Sequence, residues 1–172
     1  SDAYCDTLVG IENIVGSQWF DSLLGDDGAN MISGGGGWDY ILGRGGDDTL
    51  LGGADNDTIY GGDNLDQIYG GDDGDTIFGG KGVDFVNADD GDDTVFGDED
   101  GDILAGLAGN DTIDGGVDND VIYGGDGSDS LIGGEGFDQI VGDDTDGAST
   151  NDVIDAGSED DFVLGMYGDD VI

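Results

Sequence analysis

The chain has no proline, no histidine and a single cysteine, Cys5, among its 172 residues. Each absence removes a class of protein. Without histidine and with one thiol, the nitrogen and sulfur ligands of zinc and copper sites cannot be assembled. One cysteine cannot form an internal disulfide, so Cys5 reads as a small, partly packed residue near a terminus. Collagen, which abundant glycine would otherwise suggest, needs abundant proline as well. Cations are nearly missing too: Arg44 and Lys81 stand against 43 Asp and Glu, for a formal net charge of −41. That charge repels nucleic acid and anionic membranes, so neither is expected as a direct partner. No apolar run approaches the ~18 residues of a membrane span. There is also no Ser-His-Asp or Cys-His set, and no Gly-x-x-x-x-Gly-Lys loop for phosphate.

What is present is glycine, 39 residues of it, together with the acid. So acidic a chain would ordinarily be disordered, because self-repulsion and chain entropy outweigh the apolar contacts available. Yet 35% of the residues are hydrophobic, too many for a solvated acidic tail. Something must neutralise the acid before the apolar residues can pack.

The pattern that resolves this is an internal repeat. An acidic or amide anchor, followed two residues later by Ile, Leu or Val, recurs every nine residues: Asp21, Asn30, Asp39, Asp48, Asp57, Asp66, Asp75, Asp84, Asp93, Asp102, Asp111, Asp120, Asp129 and Asp138. Glu12 extends the series backwards. After Asp138 the register slips by five residues and resumes at Asp152, Asp161 and Asp170. The residue two after the anchor is always aliphatic, from Ile14 and Leu23 to Val163 and Ile172. The segment before the anchor is a glycine turn, seen most cleanly in Gly34-Gly35-Gly36-Gly37-Trp38-Asp39. Each unit therefore predicts a six-residue turn and a three-residue strand whose middle side chain points inward.

These residues resemble the repeats-in-toxin (RTX) family, whose nonapeptide reads Gly-Gly-x-Gly-x-Asp-x-aliphatic-x. The resemblance covers about residues 12–172. It implies an all-β fold, a right-handed parallel β-roll in which two nonapeptides make one 18-residue coil. Stacking neighbouring units is the only way such short strands can bury their inward side chains. Alternate anchors then lie on opposite edges, with Asp39, Asp57, Asp75, Asp93, Asp111 and Asp129 on one edge. Asp48, Asp66, Asp84, Asp102, Asp120 and Asp138 line the other. Carboxylates stacked one strand spacing apart, roughly 4.8 Å, repel one another. A hard cation taking 6–8 oxygens at about 2.3–2.6 Å suits the gap, and Ca²⁺ suits it better than Mg²⁺, which demands tight octahedral geometry. The resemblance further implies a ligand set. One site would use the carbonyls of Gly35 and Gly37 with Asp39, and the carbonyls of Gly52 and Ala54 with Asp57. The expected metal-ligating carboxylates are the anchors from Asp21 to Asp170, excluding Asn30, with about ten or more Ca²⁺ bound.

Some units depart from the pattern. Asp55, Asn64, Asp73, Asp100 and Asp118 replace the third glycine of the motif, where Asn and Asp tolerate left-handed backbone best after glycine. Arg44, Asp89, Asp98 and Leu107 replace the second glycine. Asn30 and Glu12 replace the anchor Asp, which predicts weak or empty N-terminal sites. Residues 1–20 read as a degenerate repeat or cap, 21–141 as the regular roll, and 142–151 as a turn carrying the five-residue insertion, expected to bulge. Residues 152–172 read as continuing repeats. The chain opens without an initiator Met or signal peptide and stops mid-repeat, so it is expected to be a piece of a longer protein.

Adjacent carboxylates such as Asp47-Asp48 and Asp92-Asp93 could suggest glycosidase chemistry, but the repeat accounts for them and no enzyme is expected. Trp19, Phe20, Trp38 and Phe137 sit in turns and are expected to pack at edges or caps. On one outer face Leu24, Leu42, Tyr60, Phe78 and Phe96 recur at 18-residue steps. This row is either a cross-strand ladder or a surface for self-association or a neighbouring domain. Ice binding, known in some RTX relatives through Thr and Asn rows in the turns, does not suit turns rich in Asp. The resemblance implies a secreted or cell-surface bacterial protein exported by type I secretion. One expectation is a structural module of an adhesin, surface-layer or matrix protein. The other is the non-catalytic C-terminal module of a secreted protease, lipase, epimerase or toxin.

Overall fold

A computed structural model describes residues 12–143 and 150–172. Cys5, most of the expected N-terminal cap and much of the inserted segment lie outside the described residues.

Glycine at the turns and β-branched or aromatic residues between them leave only one regular structure open, the extended strand. Among the described residues there are 17 strands, from Asn13–Val15 to Phe162–Leu164, and no helix. Successive strands alternate between two parallel sheets of nine and eight strands. Ile32 stands beside Leu50, Leu50 beside Ile68, and Ile68 beside Val86 in one sheet. Ile41, Ile59, Ile77 and Val95 do the same in the other. Each step is two nonapeptides, so the all-β parallel roll expected from the sequence is the fold observed.

The core is a thin layer of aliphatic side chains, one stack from each sheet. Leu23 through Ile154 form one buried cluster, with Ile14, Ala156 and Val163 packed against its ends. Every regular unit contributes one such side chain, and from Ile32 to Ile140 these are fully buried.

The strands are longer than the three residues expected. Most span six, as in Thr49–Ala54, and run on through the first glycines of the following turn. The reason lies in the second inward position. Gly43, Gly52, Gly61 and Gly70 are buried there, where a Cβ would crowd the Oδ2 of the next anchor and a backbone carbonyl oxygen one coil on. The ladder therefore continues past the aliphatic residue, although Ala88 is the only apolar side chain buried at this place in the strands that run from Met31 to Glu135.

Backbone shape in the turns follows the glycine positions. Of the substituted third-glycine places, Asp55, Asn64, Asp73, Asp100 and Asp118 all adopt positive φ, between 71° and 83°. The second-glycine places do so as well, at Arg44 (86°), Asp89 (76°), Asp98 (78°) and Leu107 (77°). Asp can offset part of that cost by local hydrogen bonding, but Leu107 cannot. Replacing Leu107 by Gly is expected to stabilise the calcium-saturated fold by up to about 1 kcal/mol, since non-glycine left-handed backbone costs on the order of 1–2 kcal/mol and glycine returns part of this as unfolded-state entropy. Denaturant titration checks it, and a loss of stability would show that the Leu107 side chain matters more than its backbone.

Beyond Asp138 the roll absorbs the insertion without ending. Ser130 pairs with Val153 and Gln139 with Phe162, still parallel. The outer-face row is a ladder: Tyr60 stacks on Phe78 at 4.6 Å and Phe78 on Phe96 at 5.0 Å, with Tyr40 tilted against Tyr60. Tyr60, Phe78 and Phe96 are half-buried rather than fully exposed. Trp19, Phe20, Trp38 and Phe137, by contrast, are 57–80% exposed. The expected edge packing is not observed for them, because side chains one or two places before an anchor point out of the turn.

Candidate metal centre

Each regular anchor stands at the last residue of a turn, so the following strand fixes its side chain inside the coil. From Asp21 to Asp152 the anchors are no more than 6% exposed, and Asn30 is as buried as the rest. Asp161 and Asp170 are half-buried at the C-terminal end.

One carboxylate oxygen is spoken for. The N–H of Asp39 donates to Asp57 Oδ1 at 2.7 Å, that of Asp57 to Asp75 Oδ1 at 2.7 Å, and that of Asp75 to Asp93 Oδ1 at 2.7 Å. The opposite edge repeats this from Asp48 to Asp66 and Asp66 to Asp84, both at 2.8 Å. The ladder crosses the insertion, from the Asp129 N–H to Asp152 Oδ1 at 2.9 Å, and runs on to Asp161 and Asp170. Each anchor thus links its coil to the one before. This role is not legible in the sequence. The 18-residue recurrence was visible, but not which atom each anchor would use.

The other oxygen is not satisfied. In Asp39, Asp48, Asp57, Asp66, Asp75, Asp84, Asp93, Asp102, Asp111, Asp120 and Asp138, Oδ2 is buried with no hydrogen-bond partner. Such a group normally costs ~1–3 kcal/mol, and more when charged. Its surroundings are oxygen-rich. A Cβ added to Gly52 would stand 2.5 Å from Asp57 Oδ2 and 2.6 Å from the carbonyl oxygen of Gly70, one coil on. Gly61 likewise faces Asp66 Oδ2 and the Gly79 carbonyl, both at 2.5 Å. In the pair anticipated from the sequence, Gly34 faces both Asp39 Oδ2 and the Gly52 carbonyl. Two of the expected ligand groups therefore converge. The Gly35 carbonyl lies against Gly53. Gly37 and Ala54 lie in the same pair of turns, where the Gly37 N–H donates to Asp55 Oδ2 at 3.1 Å and Ala54 pairs with Gly36.

Burial sets the electrostatics. It pushes the Asp75 and Asp102 carboxyls up to about 8, against the lowering effect of the donated N–H and with the like charges one coil away adding to the rise. Asp66, Asp111 and Asp120 are pushed up to about 7 for the same reasons. Asp39, Asp48, Asp57, Asp84 and Asp93 rise to about 6. The fold holds a file of acids that resist ionising unless positive charge joins them.

A hard divalent cation fits this donor set. The orphaned atoms are carboxylate oxygens, the groups facing them are carbonyl oxygens, and neither nitrogen nor sulfur competes. Among the described residues no three Asp, Glu, His or Cys side chains converge on one point. Backbone carbonyls would therefore have to complete any coordination shell. The bound ion would supply the positive charge that keeps these carboxylates ionised inside the roll.

A family model described as the RTX calcium-binding nonapeptide repeat matches the chain over residues 16–50, 42–77, 69–104, 96–131, 105–140, 123–146 and 146–172. The chain belongs to this RTX family. A search of curated proteins found no match. RTX nonapeptide repeats bind calcium, so calcium ions are its partners, and the repeat-only roll fits a structural, non-catalytic module. RTX repeats are typical of secreted bacterial proteins. No helix among the described residues is long and apolar enough to cross a membrane.

A second ladder runs along the turn surface of the RTX roll in the opposite sense. The Asn110 N–H donates to Asp92 Oδ1 at 2.8 Å and the Ser128 N–H to Asn110 Oδ1 at 3.0 Å. The Asn151 N–H then donates to Ser128 Oγ at 3.3 Å and the Asp169 N–H to Asn151 Oδ1 at 2.7 Å. A short polar residue directly before the anchor is the sequence signal that could have found it.

Proposed function

We propose that the chain is a calcium-folded structural module of a large secreted bacterial protein, such as an adhesin, surface-layer or matrix protein, and not an enzyme. The observation that carries this is the file of orphaned Oδ2 atoms along both edges. It makes a binding surface of the whole length of the roll and leaves the coil itself as the product of binding. Each site would join Asp n, the carbonyls four and two residues before it, Asp n+18, and the carbonyls five and three residues before that. Millimolar calcium outside the cell would fold the module. Scarce calcium inside would leave it unfolded for passage through a type I channel. Ten ions would roughly halve the charge of −41, leaving a soluble acidic rod.

Native mass spectrometry in calcium is the test, with about ten or more ions expected per chain. A count of two or three would limit the sites to a few turns and overturn the reading. The sequence flanking this segment in the full gene separates the structural role from its rival. A zinc-protease or serine-nucleophile motif there would make the roll the C-terminal module of a secreted enzyme.

The stacked face adds a finer proposal, lateral association of rolls or docking of a neighbouring domain through Tyr60, Phe78 and Phe96. Half-buried rings offer less apolar area than a fully exposed stripe, and residual negative charge opposes contact. Sedimentation in saturating calcium is expected to show a weak, concentration-dependent dimer that a Tyr60→Ser, Phe78→Ser, Phe96→Ser variant lacks. Monomers at high concentration in both would leave the rings as a sheet ladder alone.

A further inference from the structure

The first two described turns of the roll are built differently from those that follow. In the regular turns the residue four before the anchor has positive φ, as at Gly35, Arg44, Gly53 and Gly62. Ser17 and Asp26 hold that place before Asp21 and Asn30, and neither adopts positive φ. Their N–H groups turn toward the anchor instead. The Ser17 N–H donates to Asp21 Oδ2 at 2.6 Å, and the Asp26 N–H to Asn30 Oδ1 at 2.8 Å. Both turns close in the same way one step later. The Trp19 N–H donates to Ser17 Oγ at 3.2 Å, and the Gly28 N–H to Asp26 Oδ1 at 2.9 Å.

The oxygen involved is the one left orphaned elsewhere. Asp21 Oδ2 and Asn30 Oδ1 face Gly16 and Gly25 just as Asp57 Oδ2 faces Gly52. A buried anchor oxygen needs one positive partner, either a peptide N–H or a cation. In the regular turns the sign of φ takes the N–H away. In the first two it is present at hydrogen-bond distance. Asn30 also brings no charge for a cation to balance.

We propose that the turns at Asp21 and Asn30 form a metal-free cap, in which a backbone N–H takes the place of calcium and closes both cation files at their N-terminal end. Calcium then begins at Asp39 on one edge and Asp48 on the other. This rests on the calcium reading given above. It assigns Asp21, expected from the sequence to be a ligand, to the cap.

Calcium is counted by competition titration against a chromophoric chelator on the whole chain, as parent, Asp21→Asn and Asp57→Asn, with circular dichroism confirming that each folds. Asp21→Asn retains an acceptor for the Ser17 N–H and is expected to match the parent in ion count and, within about twofold, in affinity. Asp57→Asn is expected to bind at least one ion fewer. An ion lost from Asp21→Asn, or no difference between the two variants, overturns the cap. A parent that binds no calcium overturns the calcium reading itself. Amide hydrogen exchange on the calcium-saturated parent decides the matter even where a variant does not fold. Exchange at Ser17 and Asp26 slowed relative to the exposed Gln18 and Asp27 supports the cap, and unprotected exchange at both overturns it.

Discussion

With calcium chelated at neutral pH, the chain is expected to show a coil-like circular dichroism spectrum, and millimolar calcium is expected to restore the β spectrum. The reason is the pairing of a thin core, one aliphatic stack per sheet, with two files of buried carboxylates. One aliphatic side chain per nine residues cannot order those residues by itself, and the anchors add an opposing charge term. A β spectrum unchanged by chelator would sink the idea that calcium is needed to fold.

The same chelated protein is expected to regain structure in mild acid. The folded-state values of the anchors from Asp39 to Asp120, about 6 to about 8, lie above the roughly 3.9 of an unfolded Asp. Between those limits the folded state binds more protons than the unfolded one, so stability falls as pH rises. The penalty is absent below about pH 4 and complete above the folded-state values. Calcium-free protein should therefore become more structured as pH falls from 8 toward 5, a trend opposite to that of an ordinary salt-bridged Asp. Monotonic loss of structure on acidification would show that repulsion among the buried anchors is not what unfolds the calcium-free chain.

The second large effect is a reversal of sign at Asp75. In calcium, Asp75→Asn is expected to cost on the order of 3 kcal/mol, the range for removing one partner from a buried charge pair. In chelator the same change should help. Asn keeps an oxygen to accept the Asp57 N–H, now at 2.7 Å on Asp75 Oδ1, and it removes one of the most strongly perturbed charges in the file. The pH midpoint of calcium-free folding should then move upward. Asp72→Ala, an exposed acid in the same turn, should change stability by no more than about 0.5 kcal/mol under either condition. Equal effects at Asp72 and Asp75 in calcium titrations would indicate a diffuse ion atmosphere instead of discrete sites.

The period of the roll, the inward file and the two edges were all legible in the sequence, because each depends on spacing. Ile41, Ile59 and Ile77 had to stack, since no other arrangement buries one aliphatic residue in nine. The left-handed backbone at Asp55, Asn64 and Asp73 could likewise be read from residue type. What spacing could not reveal was the use of individual atoms. Asp57 commits Oδ1 to the Asp39 N–H and leaves Oδ2 without a hydrogen-bond partner, a division that only the depth of its turn shows. The extension of strands through glycine was also hidden, because glycine carries no β preference to read. The difference between Asp21 and Asp39 depends on the sign of φ at Ser17 and Gly35, which residue type alone does not settle, since Arg44 and Leu107 are left-handed at the same place without being glycine. Exposure of Trp38 and Phe137 went against composition alone, since large aromatics are normally drawn inward.

The anchor ladder and the sheet hydrogen bonds all point along the axis of the roll, from one coil to the next. A pull applied to the two ends therefore loads these bonds head-on, a few at a time, and never shears many together. Each coil that yields would release 18 residues, roughly 60 Å of chain at the extended rise per residue. Under tension the roll would behave as a paying-out spool, giving length in equal steps while the remaining coils stay wound.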